Sequence, residues 1–129
     1  MLQNNHYVLI RPDGLIETKE FDVLNEDVND VIHAALGGSF YEIVRLRTMS
    51  HEFLMMVDDE GILKNLQLNP VASELYGIRI HGCPIVGNAV IMREDMVDGE
   101  PDIVGLSDED LAEFIHKLRG LVVLQEVEE

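Results

Sequence analysis

The sequence predicts a single α+β domain over residues 1–129, with an antiparallel or mixed sheet of about five strands, two longer helices and one short helix. The chain has the length of one ordinary domain, and its hydrophobic content of 47% is sufficient for a core without disulfide bonds. Runs of β-forming residues between turn signals alternate with stretches whose apolar residues recur at helical spacing. We expect the core to span about residues 6–120 and the acidic C-terminal tail 121–129 to fray.

The first predicted elements are a β-hairpin and a helix. An extended run ends at Ile10, and the Pro-Asp-Gly sequence at 12–14 is a turn signal, because proline presets φ and glycine accepts positive φ. Asn25 then predicts the N-cap of a helix near 25–36, whose apolar residues repeat at helical spacing. The glycine at Gly37 is expected to end this helix.

The centre of the chain predicts a buried strand and a short helix. A continuous apolar run at 53–57 has the length of a strand buried on both faces, and the polar residues 58–61 predict the tip of a second hairpin. Asn69 followed by proline predicts the start of a helix at 70–76, since asparagine is a favoured N-cap and proline is tolerated in the first turn. Gly77 is the expected end of this helix.

The segment after the short helix predicts a bend, a strand and a loop. Gly82 and Gly87 interrupt an apolar pattern, which predicts a bend before a strand at 88–92. Residues 93–105 are rich in turn-forming residues and predict a surface loop. A pocket at the bend from Gly82 to Asn88 would indicate a small-molecule or nucleotide binder or enzyme, which is one alternative for the function.

The last long helix is predicted near 107–119. Ser107 and Asp110 have the spacing of a capping box, and apolar residues follow on one stripe. Gly120 is expected to end this helix, and a last short strand is expected within 121–129. We expect the three helices to pack mainly on one face of the sheet.

Charge is the strongest feature of the composition. The chain has 25 Asp and Glu against 9 Lys and Arg, which gives a formal net charge of −16. Because direct binding to nucleic acid or to anionic lipid depends on Lys and Arg, this composition argues against both. It favours another protein, and a basic one in particular, as the partner. The single cysteine and the lack of a long apolar run favour a cytoplasmic location.

A second hypothesis, from a different class, uses the negative charge directly. The region from Glu94 to Glu113 has nine carboxylates and no Lys or Arg. A DNA mimic that inhibits a nucleic-acid-binding host protein, in the manner of an anti-restriction protein, requires such carboxylates on one face at phosphate-like spacing. The residues of this predicted acidic face are Glu94, Asp95, Asp98, Glu100, Asp102, Asp108, Glu109, Asp110 and Glu113.

The chain has no recognisable catalytic apparatus. It lacks a phosphate loop, a dinucleotide fingerprint and a nucleophile elbow, so an enzyme is the less favoured class and no catalytic residue or cofactor is predicted. His81 and Cys83 lie two residues apart, but a zinc site needs about four ligands and no second pair lies near, so no metal site is predicted. The predicted binding surface consists of the most distinctive residues of the central stretch, which are Asn69, Tyr76, Gly87 and Asn88.

Four segments carry a resemblance to a known family. They are GGSFYEIV at 37–44, MMVDDEGILKNLQLNPVASELYG at 55–77, PIVGNAVIM at 84–92 and DIVGLSDED at 102–110. In their order and spacing these segments resemble the domain of unknown function family 3846, small proteins of bacteria, phages and mobile elements. The matching residues are Gly38, Glu42, Glu60, Gly61, Asn69, Ala72, Leu75, Tyr76 and Gly87. Many members have a basic residue after the asparagine, where this chain has Pro70.

The resemblance implies an accessory protein of a phage, plasmid or integrated element, and it implies no particular activity. The leading hypothesis is therefore a non-enzymatic accessory or interaction protein that uses the segment from Asn69 to Asn88. The DNA mimic and the small-molecule or nucleotide binder remain the two alternatives.

Overall fold

The structure is a computed structural model that describes residues 5–38, 40–46, 53–77 and 84–127, with side chains described through residue 120. In chain order its elements are β1 (His6–Ile10), β2 (Ile16–Glu20), α1 (Val28–Ala35), β3 (Tyr41–Arg45), β4 (Phe53–Asp58), α2 (Pro70–Tyr76), β5 (Ala89–Val97), β6 (Glu100–Val104) and α3 (Asp108–Val127). The α+β fold class is confirmed, with a six-stranded sheet where about five strands were predicted.

Strand β5 lies at the centre of the sheet. All strand pairs are antiparallel, and the order is β2-β1-β5-β4-β3, with β6 also paired to β5. The first half of β5 lies between β1 and β4, because Ile91 is opposite both Val8 and Met55. Arg93 pairs with both β4 and β6, and the rest of the second half pairs with β6 alone among the described strands. Strands β1 and β6 therefore lie along the same edge of β5.

Helix α1 covers one face of the sheet, which we call the α1 face. It connects β2 at one edge to β3 at the opposite edge and so crosses this face. Its buried residues Val31 and Ile32 belong to a cluster that includes Leu54 of β4 and Met92 of β5. Burial of these apolar side chains holds the helix on the sheet.

Helices α2 and α3 cover the opposite face, which we call the α3 face. Leu75 of α2 and Phe114 of α3 are fully buried in a second cluster with Phe53 and Ile91 of the sheet. The rings of Phe53 and Phe114 meet edge to face, with centroids 5.6 Å apart. The prediction that the helices pack mainly on one face is therefore wrong. The continuous apolar run at 53–57 already implied a strand covered on both faces, because successive side chains alternate.

Residues 93–105 contain β-structure where a surface loop was predicted. The second half of β5 and β6 form a hairpin whose turn has Asp98 at φ 52° and Gly99 at φ 82°. Positive φ at both central residues defines a type I′ turn, for which Asp-Gly is a favoured pair. The Asp-Gly pair is a hairpin signal in the sequence. The turn-forming residues around it interrupt the alternation of apolar and polar residues by which the two strands would be recognised.

Three further boundaries differ from the predictions. Helix α1 starts after Asp27, whose side chain accepts a hydrogen bond from the Asn29 N–H, so Asn25 is not its N-cap. Helix α3 continues through Gly120 to Val127, where a helix end and a last strand were predicted. The described residues after β4 form a series of turns, so the predicted second hairpin is absent there.

The other local signals are confirmed. The β1–β2 hairpin forms as predicted, and α2 starts at its N-cap Asn69 and ends at Gly77, whose φ is 90°. The capping box of α3 is reciprocal: the Ser107 N–H donates to the Asp110 carboxylate at 3.0 Å, and the Asp110 N–H donates to the Ser107 hydroxyl at 3.1 Å.

Candidate functional site: an acidic cleft beside strand β3

Asn69, from the predicted binding surface, is fully buried and has a structural role. Its carboxamide oxygen accepts a hydrogen bond from the Ala72 N–H at 3.1 Å, as the N-cap of α2. Its Nδ2 atom donates to the carbonyl oxygens of Ile10 at 3.0 Å and Gly87 at 2.8 Å. This one side chain joins β1, α2 and the segment before β5, and it has no exposed surface with which to contact a partner.

The other residues of the predicted surface do not form an exposed patch with Asn69. Gly87 is buried with φ at 78°, and a Cβ atom there would lie 2.8 Å from the Leu66 side chain. Asn88 is half-buried, and its Nδ2 atom donates to the Ala35 carbonyl oxygen at 3.1 Å. Tyr76 is half-buried against the core on the α3 face, and it also lines the cleft described below.

The nine carboxylates of the predicted acidic face are divided between different sides of the molecule. Side chains alternate along β5, and Met92 belongs to the α1 face while Ile91 belongs to the α3 face. Glu94 therefore points to the α1 face and Asp95 to the α3 face. Asp98 lies in the hairpin turn. The single row of carboxylates that a DNA mimic needs is not formed by this set.

Four of these carboxylates contact basic side chains. The contacts are Glu94 with Arg45 at 3.0 Å, Asp108 with His6 at 2.7 Å, Asp110 with Arg93 at 3.0 Å and Glu113 with Lys117 at 3.8 Å. Burial alone raises the pKa of Asp110, but hydrogen bonds from Ser107 and Arg93 outweigh it and hold that pKa below its usual value. Four of the nine carboxylates in this set therefore already contact a basic side chain of the same molecule.

A cleft of about 160 Å³ lies on the α3 face beside β3, and we call it the β3 cleft. Its walls are β3, the end of β4 with the turns that follow, and the segment 84–86 before β5. Its lining includes Glu42, Val44, Asp59, Glu60, Ile62 and Leu63. None of these six belonged to the predicted binding surface or to the predicted acidic face.

The β3 cleft concentrates negative charge that no ion pair among the described residues balances. Glu42, Asp59 and Glu60 are exposed, and no ion pair links them to any residue in the described ranges. Asp58 is different, because it is buried and its carboxylate contacts the Lys64 ammonium at 2.9 Å. The cleft therefore favours a cationic group at its mouth.

Two large apolar side chains border the same cleft. Ile62 is 63% exposed and Leu63 is 86% exposed, in the turns after β4. Adjacent exposed apolar residues next to charged ones are typical of a protein-interaction surface. The sequence did not indicate that these two side chains are exposed, because the predicted second hairpin assigned them to a strand.

Strand β3 forms one wall of the cleft and ends the sheet. Within the described part of the chain, no strand pairs with its outer edge. The Tyr41 hydroxyl donates to the Asn29 side chain of α1, and the His33 ring packs edge to face against Tyr41 and Phe40. These contacts fix the start of β3 to α1, while Phe40 itself is 77% exposed.

Some predicted features lie outside the described residues, among them Gly82, His81 and Cys83. Within the described ranges, no three His, Cys, Asp or Glu side chains are grouped as metal ligands would be. In the same ranges, every helix is too short or too polar to cross a membrane.

Comparisons with known proteins give a family and a fold. A family model described as "Domain of unknown function (DUF3846)" matches residues 5–119. No curated protein matches the chain. Among solved structures, the chain is similar to the "Crystal structure of small RNA methyltransferase HEN1", with a TM-score of 0.57 and 16% sequence identity. The match covers 86% of this chain and 16% of that one, and at this identity it shows the fold alone.

Proposed function

Because the chain belongs to the DUF3846 family, whose description assigns no activity, we propose a function from its surface. The protein is a non-enzymatic interaction protein of the cytoplasm that binds a basic protein partner at the β3 cleft. Its place among the accessory proteins of phages, plasmids or integrated elements is part of this proposal and follows from the family resemblance described above.

The observation that supports this function is the combination of charge and apolar surface at one place. Three exposed carboxylates without ion pairs in the described chain, Glu42, Asp59 and Glu60, lie beside the exposed side chains of Ile62 and Leu63. Burial of apolar surface contributes affinity, and complementary charge contributes specificity and a fast association rate. A basic partner with an apolar contact residue uses both.

The size of the cleft favours a partner side chain over a free small molecule. Pockets for small ligands usually measure about 300–1,000 Å³, and the β3 cleft measures about 160 Å³. The wall formed by 84–86 belongs to the bend from Gly82 to Asn88, where a ligand site is one of the alternatives. A nucleotide is disfavoured there, because its phosphates would face Glu42, Asp59 and Glu60.

The DNA-mimic alternative has less support than the interaction protein. Its predicted carboxylates divide between the two faces, and Glu94 and Asp110 already pair with Arg45 and Arg93. The carboxylates of the β3 cleft belong to a different part of the surface and do not extend that set.

The test is affinity capture from the native host, followed by measurement of binding with the purified captured protein. Two variants of the cleft are compared with wild type: Glu42→Gln/Asp59→Asn/Glu60→Gln and Ile62→Ser/Leu63→Ser. We expect each to weaken binding by about tenfold or more, equivalent to about 1.4 kcal/mol.

Matched controls separate the cleft from general charge and general exposed apolar surface. Asp98→Asn/Glu100→Gln/Glu109→Gln removes the same three charges elsewhere, and Leu24→Ser removes a side chain that is 85% exposed against 86% for Leu63. Both controls should bind as wild type does. Equal loss in the cleft variants and the controls would contradict the proposed function.

A further inference from the structure

We infer that the outer edge of β3 accepts an added β-strand from the basic partner, with alternate partner side chains directed to the two faces of the sheet. This inference rests on the proposed function and specifies the form in which the partner binds. The added strand presents cationic side chains on the side of the β3 cleft and apolar side chains on the side of Ile43.

Among the described strands, β2, β3 and β6 each have one side without a neighbouring strand along their whole length, and the sides of β2 and β6 are protected against pairing. Strand β2 has the sequence IETKE, with charged side chains at three of its five positions. Strand β6 has the sequence EPDIV and contains Pro101. Charged side chains and proline are the usual means by which proteins prevent pairing at an edge. Strand β3, with the sequence YEIVR, has no proline and three apolar or aromatic residues of five.

The hydrogen-bond register shows which groups β3 offers to an added strand. The Asp59 N–H donates to the Phe40 carbonyl oxygen at 3.2 Å, so Phe40 directs its backbone groups towards β4. In an antiparallel ladder this orientation alternates along the strand. Tyr41 and Ile43 therefore direct their N–H and C=O groups towards the outer edge. These two donors and two acceptors, two residues apart, have the spacing at which an added strand forms its hydrogen bonds.

Side chains of β3 alternate between two different environments. Glu42 and Val44 line the β3 cleft on the α3 face, with the carboxylates of Asp59 and Glu60 close by. Ile43 is 48% exposed on the α1 face, where it lines a second, open depression with Pro101 and Ile103 of the β5–β6 hairpin. A strand beside β3 would place every second side chain near each environment.

Charge determines which occupant fits this edge. A second copy of this chain carries the same net charge of −16, and pairing of two β3 edges would bring two acidic clefts together. A cationic strand instead brings Lys or Arg to Glu42, Asp59 and Glu60, which have no ion pair within the described ranges. The occupant is therefore a strand of a basic protein that alternates Lys or Arg with an apolar residue.

The experiment uses the full chain and three synthetic peptides of about seven residues as probes. The first alternates Lys and Val, the second has the same composition with its Lys and Val residues in separate blocks, and the third alternates Glu and Val. Amide hydrogen exchange is followed by NMR for each residue of β3. We expect the first peptide to slow exchange at Tyr41 and Ile43 by about tenfold or more, and the other two to leave it unchanged.

Two variants at one position separate the backbone contact from the side-chain contact. Ile43→Pro removes an outward N–H that bonds to no described strand, and Ile43→Ala removes most of the side chain but keeps the N–H. We expect Ile43→Pro to abolish binding of the alternating peptide and Ile43→Ala to weaken it by a few fold. Retained circular dichroism and thermal unfolding of each variant show that the fold is intact.

The outcomes distinguish the strand inference from the proposed function. If the alternating and block peptides bind equally and no β3 amide is protected, strand addition is overturned, while loss of that binding in Glu42→Gln/Asp59→Asn/Glu60→Gln still supports a basic partner. If the alternating peptide does not bind, the strand inference is also overturned. Binding that is insensitive to the three cleft carboxylates contradicts the proposed function itself.

Discussion

At the scale of single residues, the buried amide of Asn69 holds three distant segments together. It caps α2 and donates to the carbonyl oxygens of Ile10 and Gly87, with no exposed surface of its own. These bonds are satisfied in a place from which water is excluded, where an unpaired carbonyl oxygen is costly. Asn69 therefore stabilises the fold and does not contact a partner.

Asn69→Ala should lower the free energy of unfolding by about 2–4 kcal/mol, because the helix loses its cap and two buried carbonyl oxygens lose their donor. Urea unfolding followed by circular dichroism measures this change. Asn25→Ala is the control: Asn25 is exposed and does not cap α1, so its replacement should change the value by about 0.5 kcal/mol or less. A similar effect of both substitutions would contradict the role assigned to Asn69.

Gly87→Ala should destabilise the protein by about 2–3 kcal/mol, from positive φ and from overpacking. The backbone has φ at 78°, and the new Cβ would meet Leu66 at 2.8 Å. Gly14→Ala is matched in φ, at 90°, but has nothing within 4 Å, so it should show the backbone effect of about 1 kcal/mol alone. The difference in unfolding free energy between the two variants measures the contact with Leu66.

At the scale of elements, helix α3 has a capping box at its start and continues through Gly120, where the sequence predicts its end. The helix begins with the reciprocal bonds of Ser107 and Asp110, and Arg93 of β5 ties this first turn to the sheet at 3.0 Å. The chain then remains helical through Gly120 to Val127. A glycine inside a helix is less favourable than alanine because its backbone loses more freedom.

Gly120→Ala should therefore stabilise the protein by about 0.5–1 kcal/mol, since Gly120 is an exposed helical residue with φ in the ordinary range and no neighbour within 4 Å of a new Cβ. The midpoint of urea unfolding measures the effect. If Gly120 ended the helix, as the sequence predicts, alanine would be neutral or destabilising at that position.

Asp110→Asn should destabilise the protein at pH 7, with an effect that disappears in acid. The pKa of Asp110 is lower in the folded protein than in the unfolded chain, where it is about 3.9. The ionised form therefore stabilises the fold above that pH, and this contribution is lost as pH falls through the folded pKa. Measured by unfolding curves, the difference in unfolding free energy between wild type and variant should be constant from pH 7 to about pH 5 and shrink as the pH falls below about 4. A difference that stays constant down to about pH 3 would show that the carboxylate charge is not responsible.

Local signals in the sequence were sufficient for elements whose ends are defined by neighbouring residues. The caps of α2, the capping box of α3 and the Pro-Asp-Gly turn of the first hairpin all concern a few consecutive residues, and each is confirmed. The β5–β6 hairpin was missed although Asp98 and Gly99 are a type I′ pair. Pro101 and other turn-forming residues lie close to this pair, so the whole segment 93–105 was predicted to be a loop.

At the scale of the whole molecule, the acidic charge of the candidate site could not be located from the sequence. Glu42 on β3 and Asp59 and Glu60 after β4 meet only because the two strands pair, while the longer carboxylate run at 94–113 is divided by the alternation of β5. The prediction that the helices pack mainly on one face of the sheet was wrong for a related reason. Which side a helix covers is decided by the order of strands, and the order follows from pairing between residues far apart in the chain.

Added salt should stabilise the protein in the absence of a partner. The net charge is −16, so the carboxylates repel one another in the folded state, and salt screens this repulsion. Raising NaCl from about 0.01 to about 0.1 M shortens the screening length from about 30 Å to about 10 Å. We expect the midpoint of thermal unfolding to rise by roughly 4 °C, which corresponds to about 1 kcal/mol. Asp98→Asn/Glu100→Gln/Glu109→Gln should respond less. A midpoint that falls with salt would mean that the ion pairs outweigh the repulsion.

The central place of β5 also determines when the protein can fold as it is synthesised. The β1–β2 hairpin, α1 and the β3–β4 hairpin leave the ribosome before β5, yet β1 and β4 pair with each other only through it. Until then the two hairpins belong to separate parts of the nascent chain, and β4 lacks one of its two neighbouring strands. The two hairpins can therefore join one sheet only after the segment 89–97 has been translated.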